Sequence, residues 1–232
     1  MSGPGVSVIL PVRDGARFVR EALESVFAQG DAAELEVIVI DDGSRDDTAE
    51  IAAAFPAVRV LTGGTPEAPV GPAAARNAGL AAARAPLIGF IDHDDLWPEG
   101  KLAWQRGMLE ADPGLDVVVG LTEIAALDDR TVPQAGAIGA DGRVFSPVLG
   151  ARLFRASVFE RAGAFSGDLW FGEDSDHHMR VVAAGLTVRQ EPRPGLIYRL
   201  HANNMTRGRD MRELGAFEVL RRNFRRREGR QP

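Results

Sequence analysis

Short, almost wholly apolar runs alternate with amphipathic stretches along the N-terminal part of the chain. Val6-Ser-Val-Ile-Leu-Pro-Val12 is β-branched and apolar throughout, the pattern of a strand buried on both faces. Pro11 ends its ladder pairing and Arg13-Asp-Gly15 turns the chain. Phe18, Val19, Ala22, Leu23, Val26 and Phe27 then recur at steps of three and four, which predicts an amphipathic helix closing at Gly30. Leu35 to Ile40 reads as a second buried strand. Ser44 with Asp47 predicts an N-cap and capping box for a helix over Asp46 to Phe55. Val58 to Leu61 gives a third strand, and Thr62 to Val70 a Gly/Pro-rich loop. A helix follows from Pro72 through Ala83, then a fourth strand over Leu87 to Ile91. This alternation predicts an α/β fold: a Rossmann-like, mostly parallel, right-handed central sheet flanked by helices.

Beyond Pro98 the pattern is less regular. A helix is expected from about Glu99 to Ala111, strands at Val117 to Gly120 and Ala151 to Arg155, and a hairpin turn at Asp141-Gly142. Ser157 with Glu160 predicts a cap for a short helix ending at Gly163. Gly172 precedes a helix that stops at Gly185, and Leu196 to His201 reads as a strand. Nothing in the pattern divides the chain, so residues 1–232 are expected as one domain. Residues 1–97 are expected as a nucleotide-binding half, 98–206 as a mixed substrate-facing half, and 207–232 as a basic tail.

Composition narrows the classes. With 232 residues, 45% of them hydrophobic, the chain can bury a sizeable core. It has no cysteine, which excludes disulfides and thiolate metal sites. A net charge of −6 argues against nucleic acid as a partner. Arg221 to Arg230, however, holds six arginines against Glu228, which fits a solvated helix, an interaction arm or a peripheral contact with the inner membrane face. No apolar run reaches the roughly 18 residues that span a bilayer, and no signal-peptide pattern opens the chain, so a soluble, cytoplasmic protein is expected.

The candidate chemistry lies where apolar runs meet acid. Within Leu87 to Pro98 an apolar run stops at Asp92, Asp94 and Asp95. On an extended backbone Asp92 and Asp94 point to the same side and would converge on one target. Such hard oxygen ligands suit Mn²⁺ or Mg²⁺ carrying substrate phosphates; a solvated acidic turn fits the same residues. Asp41 and Asp42 end the second strand. Ligands in open α/β sheets bind beyond the carboxyl ends of strands, and Pro11 to Asp14, Asp41/Asp42 and Asp92 to Asp95 all fall there. Arg76, near a helix start, suits a phosphate or an ordinary surface position. Glu173 and Asp174 in a first helical turn suit either function or simple complementarity to the helix dipole. His201 alone fits an ordinary hydrogen-bonding residue.

Five stretches occur in register: Val6-Ser-Val-Ile-Leu-Pro-Val, Val39-Ile-Asp-Asp-Gly-Ser-Arg-Asp-Asp-Thr, Ala75-Arg-Asn-Ala-Gly, Phe90-Ile-Asp-His-Asp-Asp and Gly172-Glu-Asp-Ser-Asp. Together they resemble family 2 glycosyltransferases of the GT-A fold. The resemblance implies transfer of one sugar, with inversion, from a nucleoside-diphosphate sugar to a glycan, lipid-linked or small-molecule acceptor. Pro11, Val12, Arg13, Asp14, Asp41 and Asp42 would line the nucleoside pocket, with Asp42 at a base edge. Arg76 would lie near the diphosphate and Asp92 towards the ribose or a metal-bound water, with Asp95 in support; His93 would touch the diphosphate, ligate metal or face solvent. Asp94, Asp92 and His201 would form the metal shell, Asp174 would be the catalytic base and Glu173 its acceptor-side neighbour. A single displacement needs one base and no protein nucleophile. Asp14 stands where the family often has Asn, and His93 is bulkier than the usual residue between the aspartates. Gln190-Glu-Pro-Arg193 is followed by Pro194 instead of the tryptophan of processive synthases, which implies non-processive transfer. A nucleotidyltransferase, or a non-catalytic nucleotide-sugar-binding homologue, are the alternatives.

Overall fold

The computed structural model describes residues 4–30, 34–127, 143–144, 148–205, 209–210 and 212–229. The strands are β1 (Val6–Val12), β2 (Leu35–Asp42), β3 (Val58–Gly64), β4 (Leu87–Phe90), β5 (Val117–Ala126), β6 (Arg143–Val144), β7 (Arg152–Arg155) and β8 (Val188–Leu200). They form one sheet in the order β3-β2-β1-β4-β7-β5-β6, with β8 alongside β5. β1 to β4 pair in parallel, whereas β7 runs antiparallel to both β4 and β5. The parallel core and mixed second half match the expected architecture.

The helices are α1 (Val19–Phe27), α2 (Thr48–Ala53), α3 (Pro72–Ala82), α4 (Lys101–Ala111), α5 (Ser157–Arg161), α6 (Glu173–Ala183) and α7 (Ala216–Glu228). Alternation along β1 and β2 feeds two apolar layers. Val8, Leu10, Val37 and Val39 pack under α1 and α4 through Val19, Leu23, Leu102 and Leu109. Ile9, Ile38, Ile40 and Phe90 pack under α3, α5 and α6 through Ala73, Ala75, Val158 and Val181. Full burial of each such aliphatic side chain contributes about 1.5–3 kcal/mol, so this sandwich fixes where the strand ends sit.

Several local expectations are corrected. Ser44 does not cap α2: the helix starts at Thr48, and the Ser44 hydroxyl donates to Asp41 Oδ1 (2.5 Å) while accepting the Asp14 N–H (2.9 Å). Ser157 lies inside α5, which has no side-chain cap. β5 runs on to Ala126, and β8 begins at Val188 because it pairs with β5 along its length. The Asp141-Gly142 turn lies outside the described residues. The arginine-rich stretch is largely α7, docked on α6. Val219 is buried, Arg226 donates to Asp176 (2.7 Å) and Arg222 to Asp168 (2.5 Å). Phe217, Leu220 and Phe224 face outward. No helix among the described residues is long and apolar enough to cross a membrane.

Candidate active site

The turns after β1 and β2 are knitted together by side-chain oxygens that accept backbone N–H groups. Ser44 takes the N–H of Asp14, Thr48 Oγ1 that of Gly15 (2.8 Å) and Asp46 that of Ala16 (3.0 Å), while Asp14 takes the N–H of Arg45 (2.7 Å). Asp14 adopts φ +51°, a left-handed conformation that Asn and Asp tolerate better than most residues. A Cβ on Gly15 would stand 2.5 Å from the His93 ring, so His93 rests against this turn. Asp41 Oδ1 accepts the N–H and the hydroxyl of Ser44.

Both oxygens of Asp42 are bonded within the chain. Its two oxygens accept the N–H groups of Val70 (2.7 Å) and Gly71 (2.8 Å), and only 6% of the residue is exposed. Alternation along β2 turns it away from Asp41 and towards the start of α3, where Gly71 has φ +85°. The carboxylate therefore fixes the Gly/Pro-rich loop leading into α3.

Asp92 and Asp94 meet different partners. β4 ends at Phe90, and the N–H of Asp95 bonds back to the Asp92 carbonyl (3.1 Å), so the two-residue alternation of a strand has ended before it reaches them. Asp92 accepts Arg76 Nη2 at 2.8 Å. Asp94 Oδ2 lies 3.0 Å from His201 Nε2 and accepts Asn204 Nδ2 at 3.3 Å. The Asn203 N–H donates to His201 Nδ1 (3.2 Å), and this bond pattern places the ring proton on Nε2. β8 delivers His201: Leu96 and Ile197 exchange backbone hydrogen bonds of 3.0 and 2.9 Å, which carries the strand past the acidic turn. Asp95 is 1% exposed and accepts the Arg199 N–H (3.1 Å). Burial first, then Asp94 and Asp92, push its carboxyl well above the usual carboxylate range.

On the far side, Gly172 precedes α6, whose first turn carries Glu173 and Asp174. Arg76, 6% exposed on α3, donates to Glu173 through Nη1 and to Asp92 through Nη2. The neighbouring carboxylates outweigh burial and hold Arg76 firmly charged. Glu173 is pushed up, chiefly by burial; Arg76 pulls it back, and adjacent Asp174 pushes it further up. One guanidinium thus joins the acidic turn to the start of α6.

Four polar residues of this region were not singled out from sequence. Arg199 donates to the Asp94 carbonyl and to Glu21. Asn204 bonds Asp94. Lys101 sits over the Trp97 ring (4.2 Å) and donates to Gln105 (2.7 Å). Arg152 reaches His178 from beneath. A charge inside an apolar strand, as at Arg152 and Arg199, was the available signal. Conversely, His177 packs against Phe159 and Phe165 in the core, where burial and nearby Arg180 lower its pKa to about 3.

For a divalent metal, Asp94 Oδ2 is an oxygen donor, and His201 Nε2, 3.0 Å away, becomes a nitrogen donor only when the ion displaces the proton it shares with Asp94. Among the described residues no group of three or more His, Cys, Asp or Glu could enclose an ion. Asp92, expected in the shell, is taken by Arg76. Two protein donors fit Mn²⁺ or Mg²⁺ when substrate phosphates and water fill the remaining positions.

Structural neighbours share the fold. Staphylococcus aureus TarS 1–349 in complex with UDP-GlcNAc superposes with a TM-score of 0.74 at 20% identity, over 94% of this chain and 65% of that one. The Pyrobaculum calidifontis mannosyltransferase PcManGT, in complex with GDP-Man and Mn²⁺, gives 0.66 at 21% identity over 100% of this chain and 66% of that one. Among curated relatives, the succinoglycan biosynthesis protein ExoU of Rhizobium meliloti is 32% identical over 217 residues, 88% of this chain and 57% of its own. The uncharacterized glycosyltransferase EpsJ of Bacillus subtilis is 28% identical over 224 residues, 88% of this chain and 63% of its own. The chain thus spans less than two thirds of the length of these relatives. The model of "Glycosyl transferase family 2" matches residues 7–166. That match runs from the first strand past the acidic turn, and with it the chain belongs to glycosyl transferase family 2, in the GT-A fold.

Proposed function

We propose that this chain moves one sugar from a nucleoside-diphosphate sugar to an acceptor hydroxyl, by a single displacement with inversion. The observation that carries the reading is Arg76, whose guanidinium joins Asp92 at the end of β4 to Glu173 at the start of α6. It brings a phosphate-side turn and a candidate base to one site. The relatives' names, and the neighbours' complexes with UDP-GlcNAc and with GDP-Man and Mn²⁺, support a nucleotide-sugar donor.

In this reading the nucleoside lies over the knitted turns after β1 and β2, against Pro11 to Asp14, Asp41 and His93. Asp42 acts from beneath by fixing the loop before α3. Asp174 takes the proton of the acceptor hydroxyl as its oxygen bonds the anomeric carbon and the bond to the diphosphate oxygen breaks. Glu173, anchored by Arg76, sets the start of α6 so that Asp174 faces the acceptor. Asp94 and His201 would hold Mn²⁺ or Mg²⁺, which when bound neutralises charge on the departing diphosphate. Pro194, which follows Gln190-Glu-Pro-Arg193 where processive synthases carry tryptophan, supports non-processive transfer.

Thermal melting with UDP, GDP or dTDP, each with and without Mn²⁺, tests the donor side of this reading. At about a hundredfold excess over Kd, one nucleotide should stabilise the protein by about 2.7 kcal/mol, a shift of several degrees. The shift should require Mn²⁺ and be lost in Asp94→Ala. No stabilisation by any of the three, or an equal metal-dependent shift in Asp94→Ala, would overturn it.

A further inference from the structure

Arg152 is a buried cation that the transfer chemistry above leaves unused. It opens β7, where Leu153 pairs with Gly89 of β4 in antiparallel register, so it lies level with the last residue of β4, just beneath the acidic turn. Phe154, two residues on, points into the layer under α6, and alternation sends Arg152 to the same face. Arg152 is 2% exposed, its Nε has no partner, and Nη1 lies 3.3 Å from His178 Nδ1 on α6. Arginine only donates, so His178 accepts through Nδ1 and its ring is neutral. Burial, reinforced by the Arg152 charge, pushes His178 down to about 4. Asp174 lies four residues before His178, one turn back on the same side of α6.

The charges facing Asp174 come from three elements. Glu173 precedes it on α6. Arg76 approaches from α3, already shared with Glu173 and with Asp92 from the turn after β4. Arg152 approaches from β7, where burial lowers it to about 10 while the Asp174 charge opposes that fall. With all three carboxylates ionised, Arg76 alone would leave an excess of two negative charges around buried Glu173, with Asp92 and Asp174 half-buried beside it, which is costly. We propose that Arg152, seated by His178, is a positioning residue for Asp174, supplying from beneath the second positive charge that the Asp92–Glu173–Asp174 cluster needs.

This inference rests on Asp174 being the proton acceptor, but its test needs no substrate. Protein labelled with ¹³C at the aspartate carboxyls is titrated by NMR, with the Asp174 signal assigned through Asp174→Asn. In Arg152→Met the Asp174 midpoint should rise by about one pH unit, a tenfold change in proton affinity, the lower end of what a nearby opposite charge produces. Arg152→Lys, which keeps the charge, should restore most of it, and His178→Leu should give a smaller rise in the same direction. An unchanged midpoint in folded Arg152→Met overturns the proposal. If that variant does not fold, an unchanged midpoint in His178→Leu does so. Failure of the proton-acceptor reading shows separately, as sugar transfer that survives Asp174→Asn.

Discussion

Around the ends of β1 and β2, side-chain oxygens are matched to backbone N–H groups of neighbouring turns. Around the start of α6, buried charges are matched to other charges carried there from distant parts of the chain. Ser44, Thr48, Asp46, Asp14 and Asp42 belong to the first arrangement. Arg76, Glu173, Asp176 and Arg226 belong to the second. A turn knitted by several backbone bonds keeps its shape when one is lost. A buried charge that loses its partner has no water to replace it. The turns after β1 and β2 are thus a pre-shaped cradle, and the start of α6 a charge-matched cluster.

The contrast should break most sharply at Arg76. Arg76→Met leaves Glu173 buried beside Asp174 without a counter-charge and should cost about 3–5 kcal/mol, lowering the melting temperature by about 10 °C in calorimetry. A loss below about 1 kcal/mol would show that the cluster does not depend on charge balance. On the cradle side, Asp42→Ala removes two charge-assisted bonds from the loop before α3. It should cost about 2–3 kcal/mol by urea denaturation, less than Arg76→Met. A cost equal to or above that of Arg76→Met would erase the distinction.

The smallest effect concerns pH. His177 is 0% exposed and titrates near 3 when folded but near 6.5 when unfolded. As pH falls below 6.5 the unfolded chain takes up a proton that the folded chain refuses, so stability declines by about 1.4 kcal/mol per unit. From pH 6.5 to 5 this amounts to about 2 kcal/mol, and His177→Phe should flatten the stability profile over that window. An unchanged slope would place the acid sensitivity elsewhere.

Much of the cradle was legible in the sequence because it is local. Apolar runs of strand length ending in turn residues specify β1, β2 and β4 directly, and the two Asp-rich ends follow from them. Asp92 and Asp94 were misjudged because strand alternation was carried beyond Phe90, where the backbone already turns. The two bonds of Asp42 were not legible because its partners, the N–H groups of Val70 and Gly71, lie 28 and 29 residues away. The cluster was less legible for the same reason: Arg76 meets Glu173 across 97 residues and Asp94 meets His201 across 107. Family resemblance brought these residues together; spacing alone did not. Arg152 and Arg199 stand out as charges in or at the start of strands, but their partners, His178 and Glu21, are far away in sequence. The arginine-rich end read as a tail because the acid that receives it, Asp176, belongs to another helix.

Asp174 is the residue on which transfer should depend most. Purified wild type and Asp174→Asn should be incubated with UDP- and GDP-sugars and Mn²⁺, and sugar release or transfer followed by ³¹P NMR. Wild type should yield nucleoside diphosphate. Asp174→Asn should keep the melting shift with nucleotide while turnover falls by about 10²–10⁴-fold, the usual contribution of a positioned base. Undiminished turnover in Asp174→Asn, or cleavage that yields nucleoside monophosphate in place of diphosphate, would contradict it.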